Sequence, residues 1–430
     1  MPTRDKCYTK RMRIYFSGIG GVGIGPLAEI ARDAGYDILG SDTEDGLMTA
    51  ELAREGVRVV TGPQDGAFLR ESHAKQPIDW FVHTAALKTD HAELLAAKEL
   101  GIKTAKRDEF LVYFIKEKNL KLVAITGTHG KTTTTGMVIW TLQQLGVPVS
   151  YAIGTTISFG SSGHFDPSSE YFVYECDEFD RNFLKFAPHL AIIPSLDYDH
   201  PDTYPSEQEY LDAFRQFATQ SEQVLTWSDQ HPEVFEGLFQ VSQINPSEIN
   251  HDLKLHGLHN LRNATLTQVA VKRLGIDGET EGILSNFPGT DRRFEKLADN
   301  LYSDYGHHPV EIAATLQLAR EISDKVVLVY QPHQNIRQHK IKNDYTNQFE
   351  LAEEIYWLPT YLSREDTSLP ILEPQELIQN ITNKDDVHVA DFDDRLWDNI
   401  QSALSQGKLV VCMGAGAIDQ WVRDRLHENS

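Results

Sequence analysis

Long apolar runs and cysteine are both scarce in this sequence of 430 residues. No stretch approaches 18 uninterrupted apolar residues, so no helix is expected to span a bilayer. The three cysteines, Cys7, Cys176 and Cys412, are far apart and form no Cys-x-x-Cys pair, which predicts reduced thiols and a cytoplasmic location. Residues 1–13 are polar and contain no apolar core, so no signal peptide is expected.

Basic residues are also in short supply. The chain has 40 Lys and Arg against 63 Asp and Glu, which gives a net charge of −23. Such a charge argues against nucleic acid or an anionic membrane as the main partner. An anionic substrate must therefore be captured by local basic residues and backbone amides, against the field of the whole protein.

The length and the order of elements predict a protein of several α/β domains. A chain of 430 residues is too long for one ordinary core. Strand-like and helix-like segments alternate along it, so the sheets should be mostly parallel. We predict a Rossmann-like domain at 1–118, a central P-loop domain at 119–288 and a Rossmann-like domain at 289–430, with short joints that permit hinge motion.

A glycine-containing turn after a buried-type strand is the most informative segment. Residues 122–125 are β-formers, and the turn Gly127-Thr-His-Gly130 leads into Lys131, four threonines and a helical pattern. Backbone N–H groups, the helix N-terminus and the lysine charge suit a phosphate, and the Thr132 hydroxyl suits Mg²⁺. Ile125 replaces the first glycine of the general P-loop pattern, so the match is to a shorter variant. The alternative is a plain strand–turn–helix joint.

Acidic residues follow the next strands. Glu175-Cys-Asp-Glu-Phe-Asp180 comes directly after one strand, at the edge where the active sites of parallel sheets collect. Its carboxylates can share Mg²⁺ with Thr132, or they can form a solvated loop. His200 lies among carboxylates after the following strand, where it can bind a metal or orient a phosphate; the alternative is a structural histidine.

Basic, amide and imidazole side chains supply further candidates. His259, Asn260 and Asn263 open a helix, where they can contact a purine edge or simply cap the helix. Arg293 follows another arginine and can clamp an anion, or be a surface residue. In Tyr305-Gly-His-His-Pro309 the two histidines are adjacent, so at most one, such as His307, should enter a site.

A second glycine turn lies near the start. Gly18-Ile-Gly-Gly-Val-Gly23 follows a strand and precedes a helix, and Asp42 lies about twenty residues further on. This pattern is typical of NAD binding with the acid on the ribose. It equally suits another phosphate-bearing ligand at the same helix N-terminus.

Together these segments resemble the Mur ligase family, which builds the peptide of bacterial cell-wall precursors. The resemblance is carried by Gly127-Thr-His-Gly-Lys-Thr132, the turn at 18–23 with Gly40-Ser-Asp42, Asp199-His-Pro-Asp-Thr-Tyr204, Asp304-Tyr-Gly-His-His-Pro309, Gln331-Pro-His333 and Met413-Gly-Ala-Gly416. The matches span nearly the whole chain in the family's order. They imply three α/β domains, ATP and Mg²⁺, and the UDP-sugar of the cell wall as substrate.

The resemblance also implies roles for single residues. For ATP it implies contacts from Gly127, Thr128, His129, Gly130, Lys131, Thr132, Thr133, His259, Asn260, Asn263 and Asp304. For the UDP-sugar it implies Gly18, Gly20, Gly21, Gly23, Ser41 and Asp42. For the amino acid it implies Tyr305, His307, His333 and Gln334, and for Mg²⁺ it implies Thr132, Glu175 and His200. Lys131, His200, Arg293 and His307 are then the expected catalytic residues, with His200 or His307 as the base.

Within the family, the matches favour the branch that joins L-alanine to UDP-N-acetylmuramate through an acyl phosphate. Gln334 stands where that branch usually has arginine, so the amino acid remains open. The alternatives are a related ligase that adds another amino acid or a preformed tripeptide, a nicotinamide-dependent dehydrogenase, and a non-catalytic nucleotide-binding protein. The sequence leaves monomer and dimer equally open.

Overall fold

Three sheets, each flanked by helices, follow one another along the chain in the computed structural model. The structure describes residues 11–84, 87–200, 203–363 and 365–428. The α/β fold class predicted from the sequence is confirmed, and each sheet is mostly parallel. The domain limits at 118 and 288 stay predictions, and Cys7 lies outside the described residues. No helix within the described ranges combines the length and apolarity needed to cross a bilayer.

The first unit is a five-stranded parallel sheet in the order β3-β2-β1-β4-β5. Its strands are β1 (Arg13–Ser17), β2 (Asp37–Asp42), β3 (Arg58–Thr61), β4 (Trp80–His83) and β5 (Lys103–Lys106). Its helices are α1 (Gly25–Asp33), α2 (Leu47–Arg54), α3 (Ala67–Lys75), α4 (Ala92–Glu99) and α5 (Arg107–Glu117). The order reverses beside β1, so the glycine turn that follows β1 lies at a switch point where ligands bind.

The central unit is a seven-stranded sheet in the order β12-β11-β10-β6-β9-β7-β8, in which only β8 is antiparallel. Its strands are β6 (Lys121–Ile125), β7 (Val149–Ala152), β8 (Gly163–His164), β9 (Tyr171–Glu175), β10 (Leu190–Ile193), β11 (Val224–Trp227) and β12 (Val241–Ile244). Its helices are α6 (Lys131–Gln144), α7 (Glu207–Gln220), α8 (Leu258–Arg273) and α9 (Glu281–Ser285). Because β6 lies between β10 and β9, the segments after all three strands meet at one edge.

The third unit is a six-stranded sheet in the order β13-β14-β18-β15-β16-β17, with β13 antiparallel. Its strands are β13 (Glu295–Ala298), β14 (Leu301–Asp304), β15 (Val326–Tyr330), β16 (Glu354–Trp357), β17 (Val387–Val389) and β18 (Leu409–Met413). Its helices are α10 (Pro309–Ile322), α11 (Asn335–Ile341), α12 (Pro374–Ile378), α13 (Asp394–Ser405) and α14 (Ile418–Glu428). The segments after β14 and β15 carry the predicted amino-acid pocket.

The first two units are joined by close packing of α1 against β8. The backbone N–H of Gly163 donates to Glu29 at 2.7 Å, and a Cβ on Gly163 would lie 1.9 Å from the carbonyl oxygen of Pro26. His164 pairs with Asp33 at 3.1 Å beside this contact. Only glycine fits at position 163, so the joint requires this close approach of two backbones.

Glu29 gives this joint a dependence on pH. Burial raises the pKa of Glu29 to about 7, partly offset by the Gly163 N–H. Below about pH 4.5 both folded and unfolded chains carry the proton; between about 4.5 and 7 only the folded chain keeps it. Stability therefore falls as pH rises through this window. We expect Glu29→Gln, which keeps the acceptor oxygen, to raise the free energy of unfolding at pH 8 by roughly 3 kcal/mol at most, and with it the thermal midpoint.

Thermal unfolding of wild type and Glu29→Gln at pH 5 and pH 8 measures this effect. The difference should shrink at pH 5, where the wild-type carboxyl is mostly protonated. Glu44→Gln, on an exposed loop of the same unit, is the control for removing a carboxylate. A lower midpoint for Glu29→Gln than for wild type at pH 8 would contradict the prediction.

Candidate active site

The turn between β6 and α6 has the geometry of the phosphate loop predicted from the sequence. Gly127 has φ of 129°, and a Cβ there would lie 2.4 Å from the carbonyl oxygen of Ser195. Gly130 has φ of 79° as the residue before α6, and a Cβ would lie 2.8 Å from Oδ1 of Asn263. Both glycines are thus required by the backbone path, and the helix N-terminus faces the turn as an anion site needs.

Lys131 already lies over this loop. Its ammonium donates to the carbonyl oxygens of Gly127 and Thr128 and pairs with Glu178 at 3.0 Å. Burial would lower the pKa of Lys131, but Glu178 and Asp177 raise it above its usual value, so the lysine stays charged. A phosphate oxygen would take the place of the carbonyl partners and meet a fixed positive charge.

Oxygen and imidazole ligands collect beside the loop. The Thr132 hydroxyl donates to Glu175 at 2.6 Å, and the other Glu175 oxygen accepts the Gly154 N–H at 2.8 Å. One ligand atom each from Asp177, Glu178 and His200 lies within 4.8 Å of the others. Carboxylate and hydroxyl oxygens are the donors that Mg²⁺ takes, so this donor set fits the ion predicted from the sequence.

His200 lies beside acidic side chains in this cluster. Its Nε2 lies 3.4 Å from Glu178, and although burial would lower its pKa, Asp199 and Glu178 raise it. Burial and the nearby Arg337 lower the pKa of His307 to about 3, which makes it a very weak base. His307 therefore lacks the pKa expected of a general base, whereas the raised pKa of His200 favours its protonated form.

A cavity of about 430 Å³ lies between the central and third units. Its wall includes most of the residues predicted to contact ATP: His129, Gly130, Thr132, Thr133, His259, Asn260, Asn263 and Asp304. Arg293, predicted as a catalytic residue, also lines it. Apolar side chains, among them Met137, Phe287 and Val310, complete it. Burial lowers the pKa of His259 to about 4, and its Nδ1 has no hydrogen-bond partner among the described residues. A neutral, unpartnered ring nitrogen of this kind suits a planar polar ligand such as a purine.

Arg293 and Asp304 bring the third unit onto the phosphate loop. One Arg293 nitrogen lies 3.3 Å from the Thr132 hydroxyl, and its guanidinium stacks over the Tyr305 ring at 5.0 Å. Asp304 accepts the backbone N–H groups of Phe294 and Gly306, and burial raises its pKa to about 6. Its carboxylate therefore holds this turn together beside the cavity.

The predicted amino-acid pocket is a row of aromatic rings. The rings of Tyr305 and His307 are 5.7 Å apart, those of His307 and His333 are 5.3 Å apart, and His333 stacks on Tyr361 at 5.7 Å. Gln334 has φ of 59° and directs its amide to the Ser363 hydroxyl at 3.3 Å. The amide of Gln334 is therefore engaged with the 361–363 loop rather than with the row of rings.

Arg337 supplies a positive charge near the predicted amino-acid pocket, where Gln334 has none. It is buried on α11, lies 3.2 Å from Asp199, and is close enough to His307 to lower the pKa of that ring. Asp199 in turn accepts the backbone N–H of His200 at 2.7 Å. The Arg337 guanidinium thus lies between the row of aromatic rings and the carboxylate cluster beside His200. It is three residues after Gln334 in the sequence.

The residues predicted for the UDP-sugar lie together on the first unit, and none of them lines the cavity. Asp42 accepts the Gly20 N–H at 2.7 Å, which fixes the glycine turn. The Ser41 hydroxyl points into the unit and donates to buried Glu93 at 2.7 Å. Arg107 lies against Gly23 and pairs with buried Asp108 at 2.8 Å. Gly18, Gly20, Gly21 and Gly23 have no side chains in this turn; Ile19 is buried and Val22 is exposed.

Sequence reasoning missed four charged residues that the structure places around these sites: Arg107, Glu178, Glu311 and Arg337. Glu178 was available as part of the acidic segment that includes Glu175. Glu311 had only the local signal of a helix cap, and Arg107 and Arg337 had none, because their contacts in these sites come from other elements.

A phosphate loop beside a carboxylate cluster, with a third α/β unit closing the cavity, defines a multidomain α/β enzyme that binds phosphorylated ligands. The sequence matches three Mur ligase domain descriptions: the Mur ligase family catalytic domain at residues 13–119, the Mur ligase middle domain at 125–236 and the Mur ligase glutamate ligase domain at 292–416. The chain belongs to the Mur ligase family. The family predicted from the sequence is confirmed, and its members are ligases rather than dehydrogenases.

Curated relatives match nearly the whole chain. A UDP-N-acetylmuramate–L-alanine ligase of Carboxydothermus hydrogenoformans is 30% identical, over 96% of this chain and 95% of its own. One of Caldanaerobacter subterraneus is 30% identical, over 98% of each chain. Among solved structures, the UDP-N-acetylmuramate-alanine ligase of Thermotoga maritima has a TM-score of 0.76 at 24% identity, covering 98% of this chain and 100% of its own. A murein peptide ligase of Psychrobacter arcticus has a TM-score of 0.63 at 22% identity, covering 97% and 98%.

Proposed function

We propose that the protein joins L-alanine to UDP-N-acetylmuramate with ATP and Mg²⁺. The observation that carries the proposal is the meeting, in one cleft, of the Lys131 phosphate loop and the buried Arg337 beside the ring row. Whole-chain similarity to ligases that bear this activity in their names supports it. The cavity receives ATP, the first unit receives the UDP-sugar, and the ring row with Arg337 receives the amino acid.

The chemistry follows from the charges in the cleft. The γ-phosphoryl group of ATP passes to the carboxylate of the muramate, which forms an acyl phosphate and ADP. The amine of alanine attacks the acyl carbon, and the tetrahedral intermediate collapses to the amide and inorganic phosphate. Lys131 and Arg293 hold and neutralise the phosphates, and catalysis is mostly positioning and electrostatic stabilisation. Mg²⁺, when held by Thr132, Glu175 and the cluster at His200, supplies further charge neutralisation.

Arg337 accounts for amino-acid recognition without an arginine at 334. A fixed guanidinium pairs with the carboxylate of an amino acid bidentately, which orients the amine at the opposite end. Asp199 would share the same guanidinium, so the arginine is held in place before the amino acid arrives. The attacking amine must be neutral. Because His307 is a very weak base and the raised pKa of His200 favours its protonated form, we infer that the amine loses its proton to another acceptor, such as solvent or a departing phosphate oxygen.

The competing proposal within the family is addition of a preformed peptide, and the similarity to a murein peptide ligase is its support. That similarity is of fold, whereas the relatives at 30% identity are alanine ligases. We also propose a cytoplasmic enzyme, since ATP is its energy source and the described cysteines, Cys176 and Cys412, are free and buried.

Phosphate release tests the proposal directly. The protein is incubated with UDP-N-acetylmuramate, ATP and Mg²⁺ against a panel of amino acids and a tripeptide, and the product is identified by mass. We expect alanine to give the highest kcat/KM. A different best acceptor would keep the ligase and replace alanine, and no release with any acceptor would refute the proposal.

A further inference from the structure

The carboxylate of Glu311 contacts both the phosphate loop and the turn that precedes α10. Its Oε1 lies 3.1 Å from Nδ1 of His129, which belongs to the phosphate loop. Its Oε2 accepts the backbone N–H groups of His307 and His308 at 2.9 and 3.1 Å. Glu311 is in the first turn of α10, where a carboxylate normally caps the helix. Here the same carboxylate also contacts His129, which belongs to the central unit.

The contact between Glu311 and His129 is an enclosed ion pair. Each side chain is less than one-fifth exposed, and the His129 ring lies 5.0 Å from that of His308 and 3.5 Å from Asp197 through Nε2. Burial would raise the pKa of Glu311, but the hydrogen bond and charge of His129 hold it well below its usual range. Burial would lower the pKa of His129, but Glu311 and Asp197 raise it. Both shifts favour the charged forms of the two groups, and such a buried pair is sensitive to small displacements.

Further hydrogen bonds hold the residues at each end of this link. The backbone of His129 is anchored in the loop, where its N–H donates to the Ser195 hydroxyl at 2.7 Å. The other end is the turn that holds His307, whose carbonyl accepts the Tyr330 hydroxyl at 3.0 Å and whose ring begins the amino-acid row. The hydrogen bonds of Glu311 thus connect His129 of the loop to the backbone at 307–308.

We propose that Glu311 is a positioning residue that couples occupancy of the phosphate loop to the geometry of the amino-acid pocket. The proposal rests on the proposed function for the identity of the acceptor, but the link itself requires only that the loop binds a nucleotide. An occupied loop fixes His129, and Glu311 then fixes the backbone at 307–308. Amino acid and ATP thereby favour one another, which is a coupling free energy between two sites.

Glu311→Gln isolates the link. The glutamine oxygen still accepts a backbone N–H at the start of α10, but it carries no charge for His129. We expect the KM for alanine to rise roughly tenfold at saturating ATP, within the range of typical couplings. The affinity for an ATP analogue measured alone should change by less than about threefold, and Glu311→Asp, which keeps the charge, should recover part of the loss. His129→Asn should raise the same KM, and the double variant should add little to Glu311→Gln.

Glu376→Gln is the matched control. Glu376 also accepts a backbone N–H in a first helical turn, that of Glu373 at 2.9 Å, but it is exposed and remote from the cleft. We expect it to leave the KM for alanine unchanged. Equal losses in kcat, ATP affinity and amino-acid KM for Glu311→Gln, with a lowered unfolding midpoint and no recovery in Glu311→Asp, would assign Glu311 a structural role only and overturn the proposal.

Hydrogen exchange gives a readout that needs no turnover. A non-hydrolysable ATP analogue with Mg²⁺ should slow exchange of the amides in the 305–312 segment of wild type and of Glu376→Gln by about fivefold or more. The same addition should leave that segment of Glu311→Gln unchanged. If wild type forms no product with any acceptor but shows this response, the proposed function fails and the coupling stands. If Glu311→Gln responds as wild type does, the coupling fails whatever the activity.

Discussion

Lys131→Ala is expected to lower kcat by roughly 10³-fold or more. Lys131 is the one ammonium that lies over the phosphate loop among the described residues, and it contacts two loop carbonyls and Glu178. Loss of a single preorganised charge at the reacting phosphate costs about 10²–10³ in kcat, and the lysine also neutralises the ground-state phosphates. Steady-state phosphate release with alanine as acceptor measures the loss.

Two further measurements separate this effect from unfolding. Lys121→Ala is the control, because Lys121 is the first residue of β6, the strand that leads into the phosphate loop. It is exposed and pairs with Glu170 at the surface. It should retain turnover within about threefold, as surface pairs contribute little. Circular dichroism should show Lys131→Ala folded, with some loss of thermal stability because Glu178 keeps only His200 as its partner. Near-normal turnover would remove the phosphate loop from the mechanism.

Arg337→Met is expected to raise the KM for alanine by about 100-fold while leaving the KM for ATP within about threefold. Removing one partner of a buried charge pair costs 2–5 kcal/mol, and each 1.4 kcal/mol is a factor of ten. Arg337→Lys keeps the charge but loses the planar fork, so its KM should lie between those of wild type and Arg337→Met. Initial rates at varied alanine with saturating ATP, and at varied ATP with saturating alanine, give the two constants.

The matched control is Gln334→Ala. Gln334 is three residues away on the same segment, but its amide is engaged with Ser363. Its KM for alanine should change by less than about threefold. A large rise in Gln334→Ala with none in Arg337→Met would return amino-acid recognition to position 334 and discard the role of Arg337.

The contrast between these two residues shows what the sequence was able to predict. The phosphate loop was predictable because strand, glycine turn, lysine and helix are contiguous, and each has a local signal. The α/β class was predictable for the same reason. Arg337 was not, since its value comes from burial beside Asp199 and His307, which are far away in the sequence. The position of Gln334 directly after the Gln-Pro-His motif predicted a contact with the amino acid. Its left-handed backbone and its hydrogen bond to Ser363 instead direct the amide away from the row of rings.

The pKa shifts of the candidate histidines likewise could not be predicted from the sequence. His200 and His307 were equal candidates for a base when only their neighbours in the chain were known. In the fold, one is surrounded by Asp199 and Glu178 and the other by Arg337 and apolar burial, which move their pKa values in opposite directions. Ser41 is a related case, because its hydroxyl is engaged by Glu93 from α4.

The joint at Gly163 has a bearing on inhibitor design. With the Pro26 carbonyl in the space of a side chain and Glu29 holding the Gly163 amide, the first two units cannot slide past one another without breaking buried contacts. Under the proposed function, the uridine end of one substrate and the phosphate chain of the other are then held at a separation that the joint fixes. A single compound that carries both groups would need one linker length, whatever the position of the third unit.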